Sequence, residues 1–241
     1  TLMYHAGVAA EMDYTATSSS AITSVGALGL YQYFDYDIGV KEASRKYYSE
    51  DEWLQVIKAE LNESRPLLMK GHGTGGGHAF VCDGYNADNL VHINWGWSGS
   101  YDGYFEVSAL NPGGVGIGGG SGGFNLNQAI YYGIQKPQSG SVANTMLGIE
   151  KIEVDKASIS GAETAQFNVF KITGRSLFKF EGQIALALYD NDGNFVKIIK
   201  IHPLVVTLEH GYFYNQPFPF ANIGISDIRP NESTTGTFYI R

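Results

Sequence analysis

From about residue 146 onward the chain alternates apolar and polar residues in period two and never returns to a helical period. That pattern restricts its second half to β-structure. Ile149-Glu150-Lys151-Ile152-Glu153-Val154 and Gln166-Phe167-Asn168-Val169 show the alternation. Asn191-Asp192-Gly193-Asn194 is a hairpin signal between strands at 183–189 and 195–201. A further strand at 235–240 runs to the last residues, so a shortened carboxy end is expected. Short strands at this spacing predict an all-β sandwich over 146–241. Lys136-Pro137-Gln138-Ser139-Gly140-Ser141 opens a polar, turn-rich linker over 137–145, which leaves 1–136 as a separate domain.

The first 136 residues mix periods. Leu2 to about Gly7 reads as the end of a helix, and Thr1 has no start signal before it, so the amino terminus is expected to be a cut. Met12-Asp13-Tyr14 is extended, and residues 15–20 form a hydroxyl-rich loop whose Ser18, Ser19 and Ser20 are N-cap candidates for a helix over 22–33. Ser49 with Glu52 fits a capping box, followed by the apolar stripe Trp53, Val56, Ile57 and Leu61 and a stop at Pro66. Strands are expected at 67–70, 78–85, 90–95, 104–107 and 129–134. Residues 71–77 are a glycine-rich loop, and 113–123 a longer glycine tract, read as a flap over a cleft or a plain connector.

The formal charge of −8 excludes an electrostatic footprint for nucleic acid and argues against anionic lipid. No apolar run approaches the roughly 20 residues that span a bilayer, and the amino end is not a signal peptide. His72, His78 and His92 have no zinc-ligand spacing, so no metal or other cofactor is expected.

His78 carries the chemistry. It follows Gly75-Gly76-Gly77, opens an apolar strand, and precedes Asn94-Trp95-Gly96-Trp97 by one hairpin. With a four-residue turn at 86–89, Phe80 faces Trp95 and His78 faces Trp97 on one side of the sheet, while Asn94 points to the other. A single bulge would instead bring Asn94 to the histidine. The arrangement suits a general base in a substrate cleft, and equally a structural histidine in an aromatic cluster. The only cysteine, Cys82, lies four positions along the same strand, roughly 13 Å away, and reads as a small buried hydrophobe.

Several strings then resemble one family. Gly76-Gly77-His78-Ala79-Phe80-Val81, Asn94-Trp95-Gly96-Trp97, Asp102-Gly103-Tyr104-Phe105 and Ala109-Leu110-Asn111-Pro112 are similar to the streptopain family of secreted cysteine peptidases. So are the tract 118–125 and, upstream, Met12-Asp13-Tyr14 with Ser18, Ser19, Ser20 and Ala21. The resemblance implies an α+β papain-like cysteine peptidase domain, here partial, built of an antiparallel sheet plus helices. An immunoglobulin-like sandwich like the extensions of longer members follows it.

It also implies that His78 is the dyad histidine and that Trp95 stands where papain-like enzymes place an orienting asparagine. Asn94 is kept as the alternative partner. The backbone around Ser18, Ser19 and Ser20 and the small residue Ala79 map to the wall of the pocket that takes the substrate's second residue, and 113–123 to a mobile active-site loop; His72, Gly76, Gly77 and Trp97 are the further substrate-binding candidates. In the family the nucleophilic cysteine and the oxyanion-hole glutamine precede the segment that begins at Thr1. The expectation is therefore a base-bearing part of a secreted or cell-surface endopeptidase, inactive alone. Its expected partners are peptide or protein substrates and a companion amino-terminal chain that carries the cysteine. A non-catalytic binder, with Trp95, Trp97 and Tyr101 stacking on sugar or peptide, and an inhibitor-like pseudoenzyme are the other readings.

Overall fold

The computed structural model describes residues 1–113, 123–190 and 192–228, so the middle of the glycine tract and the strand expected at 235–240 lie outside the described residues. The chain divides into two compact units, Thr1–Asn144 and Thr145–Arg241.

The first unit starts with helix α1 (Leu2–Ala9), the short strands β1 (Asp13–Tyr14) and β2 (Ser19–Ser20), and helix α2 (Thr23–Phe34). β3 (Lys41–Ser44), helix α3 (Glu50–Asn62), β4 (Leu67–Gly73) and β5 (Gly76–Tyr85) follow, then β6 (Val91–Asn94), β7 (Gly103–Phe105) and β8 (Leu126–Tyr132). Six strands form one antiparallel sheet in the order β3-β8-β4-β5-β6-β7.

Helix α3 begins where the capping box places it. The Ser49 amide donates to Glu52 Oε2 at 2.8 Å, and the Glu52 amide donates to Ser49 Oγ at 3.3 Å. The reciprocal pair satisfies two amides that the first turn leaves without intrahelical partners. The helix then buries Trp53 and Ile57 in a cluster with Leu67, Met69, Phe80, Cys82, Ile93 and Ile130 from the sheet. Each such fully buried side chain contributes roughly 1.5–3 kcal/mol.

Ser18–Ser20 do not cap α2. Its N-cap is Ile22, without a side-chain cap, because Ser19 and Ser20 pair with Tyr14 and Asp13 as a strand. A local Thr15 turn holds this ribbon: Thr15 Oγ1 accepts from the Ser18 amide at 2.9 Å. Nor do residues 71–77 form a loop, since β4 and β5 pair through Gly73 and Gly76 and leave only Thr74 and Gly75 to turn.

The polar stretch after Lys136 is pinned to the first unit. Asp37, 2 % exposed, accepts from the Gln138 amide at 2.6 Å, Ser141 Oγ at 2.8 Å and the Gly39 amide at 2.7 Å. Burial pushes this carboxyl up, but the three hydrogen bonds outweigh burial and hold it below the usual range.

In the second unit, β9 (Leu147–Val154) pairs with β10 (Thr164–Gly174), and β10 also pairs with β13 (Phe213–Tyr214) and β14 (Phe218–Gly224). A second sheet joins β11 (Phe180–Tyr189) to β12 (Phe195–Leu208), with Tyr189 opposite Phe195 across the expected hairpin. Helix α4 (Ile225–Ile228) follows β14. Val169 and Ile172 from β10, Leu186 from β11, Val206 and Leu208 from β12, and Phe218, Phe220 and Ile223 from β14 share one core. Two antiparallel sheets thus enclose a common apolar layer.

Candidate active site

The β4–β5 hairpin sets Gly71 opposite His78 and His72 opposite Gly77. Gly71 has no room for a side chain, whereas at Gly77 the exposed His72 ring could move aside. A Cβ on Gly71 would lie 2.2 Å from the Phe124 carbonyl oxygen, and one on Gly77 would lie 2.8 Å from His72 Nε2. Bare backbone at Gly71 therefore lets the main chain at Phe124 lie against β4, which brings the Phe124 ring to the imidazole.

On the other side of β5 the register is reached by two departures that cancel. The turn sets the strands one residue out of the expected register, with the Asn86 amide donating to the Leu90 carbonyl at 2.9 Å and Tyr85 opposite Val91. A bulge between Cys82 and Gly84 then removes the offset, and Val81 faces Asn94. The bulge does not turn Asn94 onto the histidine. Asn94 is exposed, and its Oδ1 accepts from the Gly96 amide at 2.9 Å.

His78 Nε2 lies 2.8 Å from the Trp95 carbonyl oxygen. A carbonyl only accepts, so Nε2 carries the proton and Nδ1 keeps the lone pair. This assigns the tautomer from the partner's chemistry. The half-buried ring stacks on Trp97 with centroids 5.0 Å apart, and lies 5.2 Å from Phe124, 6.1 Å from Phe80 and 6.4 Å from Trp95. Burial pushes its pKa below the ordinary histidine value, and the bond to Trp95 offsets part of that shift. Trp95 is wholly buried, and its own amide donates to Asp102 Oδ1 at 2.9 Å. The indole N–H groups of Trp95 and Trp97 are buried without a partner among the described residues.

The other sequence candidates fall into two sets. His72, Gly76 and Gly77 form the tip of the hairpin that presents His78, while Ala79 is exposed on the sheet face opposite the imidazole. Ser18, Ser19 and Ser20 are exposed on their separate ribbon. Cys82 is buried, and burial pushes its thiol up to about 12, so it is a core residue and not a nucleophile. His92 pairs with Asp83 at 2.6 Å beside Tyr104. No group of three potential metal ligands occurs among the described residues. Sequence reading missed Phe124 and Asp102, whose roles come from contacts across the ends of strands.

This geometry can be set beside known proteins. Residues 1–105 match the Peptidase C10 family. Over this segment the chain is similar to streptopain-like C10 peptidases. The C10 similarity extends over 134 residues to streptopain of Streptococcus pyogenes serotype M28 (strain MGAS6180), with 42% identity across 56% of this chain and 34% of that protein. The thiol protease/hemagglutinin PrtT of Porphyromonas gingivalis is 35% identical over 135 residues, 56% of this chain and 16% of its own length. Among solved structures, active wild-type interpain A cysteine protease of Prevotella intermedia matches with a TM-score of 0.50 and 36% identity, across 56% of this chain and 55% of that one. The chain thus spans about a third of the length of streptopain. The first unit has the mixed sheet-and-helix build of that papain-like neighbour.

Proposed function

We propose that the C10 unit is the base-bearing part of a secreted cysteine endopeptidase, working with a cysteine on a companion segment outside this sequence. The observation that carries this is the His78 Nε2–H bond to the Trp95 carbonyl, which leaves Nδ1 as the proton acceptor. A thiol brought to Nδ1 would lose its proton there, and the thiolate would attack the scissile carbonyl. The imidazolium would then protonate the leaving amine, and the same nitrogen would activate the water that hydrolyses the thioester. Trp97 and Phe124 shield the bond on which this tautomer depends. Ser18, Ser19, Ser20 and Ala79 would contact substrate side chains, and His72, Gly76 and Gly77 its backbone.

Helix α1 and its neighbours would offer the companion segment an apolar surface. Met3 is 83% exposed, and Leu2, Tyr4, Val8, Tyr14 and Ile22 are each more than half exposed. An apolar patch of this kind marks an interaction surface. The second unit would be an immunoglobulin-like spacer or docking module, consistent with its two sheets around one core. No helix among the described residues is long and apolar enough to cross a membrane. The carbohydrate-binding reading loses force because Trp95 is fully buried and presents no face to a sugar.

Iodoacetamide labelling of a polypeptide that contains both this chain and the preceding C10 segment tests the proposal. One cysteine outside this chain should react rapidly at neutral pH while Cys82 stays unmodified. Uniformly slow labelling of every cysteine would refute the dyad.

A further inference from the structure

The ladder between β6 and β7 ends at the pair Ile93 and Gly103. In that register Asp102 falls opposite Asn94, and Tyr101 turns away with a φ of 64°. The strand therefore supplies no carbonyl for the next amide, that of Trp95. The Asp102 carboxylate takes its place, with Oδ1 accepting the Trp95 N–H at 2.9 Å. At the next residue Gly96 adopts a φ of +75°, and its N–H is held by Asn94 Oδ1. Gly96 N and the Trp95 carbonyl belong to one amide. Both sides of Trp95's main chain are thus held by side chains that do not touch the imidazole, and the carbonyl between them receives His78 Nε2–H. A hydrogen bond to a carboxylate is roughly twice as strong as one between neutral groups. Of the two anchors, Asp102 is the charged one.

We propose that Asp102 is a positioning residue for His78, acting through the main chain of Trp95 to keep the imidazole proton on Nε2 and Nδ1 free. Without it the Trp95 amide turns toward another acceptor, the carbonyl swings out of line, and the neutral ring carries its proton on either nitrogen. The catalytic consequence rests on His78 being the general base, whereas the control of the tautomer does not.

Nitrogen-15 NMR of this chain, labelled at histidine, reads the tautomer directly and requires no peptidase activity. The wild-type spectrum above the His78 midpoint should show the Nε2–H form alone. Asp102→Ala should give a mixture of both tautomers and a His78 midpoint lower than wild type, because the bond that raises its proton affinity is weakened. Asp102→Asn keeps an amide oxygen at the same position and so a weaker, neutral bond, and should return the Nε2–H form to the majority and move the midpoint back toward wild type. If Asp102→Ala does not fold, Asp102→Ser, whose hydroxyl stops short of the Trp95 amide, carries the same expectation. A wild-type tautomer and midpoint in the Ala or Ser variant would overturn the proposal. So would an Asn variant that behaves like Ala, since the effect would then be charge and not positioning. Absence of peptide hydrolysis in the longer polypeptide would count against the peptidase reading and leave these spectra unaffected.

Discussion

Replacing His78 by alanine, in a polypeptide that also carries the preceding C10 segment, should lower kcat/KM for peptide hydrolysis by about a thousand-fold or more. On the proposed mechanism the change removes the group that would take the thiol proton. At an unassisted thiol pKa near 8.5, roughly a few per cent of the sulfur is thiolate at neutral pH. The leaving amine also loses its proton donor, so both chemical steps suffer while substrate contacts remain. KM should accordingly change far less than kcat. The imidazole is half-buried at the edge of its aromatic cluster, so the fold should survive its removal. Hydrolysis within a few-fold of wild type would remove His78 from the mechanism.

The second large effect is expected at Gly71. Its substitution by alanine would place a methyl group 2.2 Å from the Phe124 carbonyl oxygen and 3.0 Å from the carbonyl carbon. These are backbone atoms, and the Phe124 amide is itself tied to the Leu110 carbonyl at 2.9 Å, so the strain has no side chain to relax into. Gly71→Ala should destabilise the first unit by roughly 1–3 kcal/mol, the range for overpacking a close contact. It should also move the Phe124 ring off His78, which a changed His78 ring-proton shift in NMR would register. Urea denaturation that places the variant within about 0.5 kcal/mol of wild type, with the His78 shift unmoved, would show that this close approach is not needed.

How much of this was legible in the sequence follows from the range of each interaction. Helix α3 was readable because its start depends on Ser49 and Glu52, three residues apart, and its buried stripe on Trp53 and Ile57. The facing of His78 and the tryptophans was readable because alternation along a strand is local. The turn length and the Asp83 bulge were both missed, and the register survived only because one offset cancels the other. Residues 71–77 read as a loop from their glycine content, whereas they belong to paired strands, and Gly71 serves the close approach of the Phe124 main chain.

Phe124 and Asp102 were beyond reach for a different reason. Phe124 meets His78 because β8, which begins two residues later, inserts between β3 and β4, and a strand order carries no local signal. Asp102 matters because the β6–β7 ladder stops at Ile93, two residues before Trp95. The stretch after Lys136 reads as a free linker from its composition, yet Asp37, about a hundred residues earlier, anchors Gln138 and Ser141. Ser18–Ser20 read as caps because their hydroxyls suit that role, but pairing with β1 outweighed it.

The most direct measurement of the central claim is the NMR titration of His78 in this chain alone, repeated with the cysteine-bearing segment added. Alone, burial should set the midpoint below the ordinary value of 6.5. The unfolded chain then binds the proton first, so this group should cost stability progressively as pH falls from about 6.5 through the folded midpoint, and nothing above it. With the companion segment bound, a thiolate beside the ring should favour the imidazolium and move the midpoint upward. An upward shift that disappears when the companion's cysteine is replaced by serine is the predicted result. A companion that binds and leaves the His78 midpoint where it was would contradict the account.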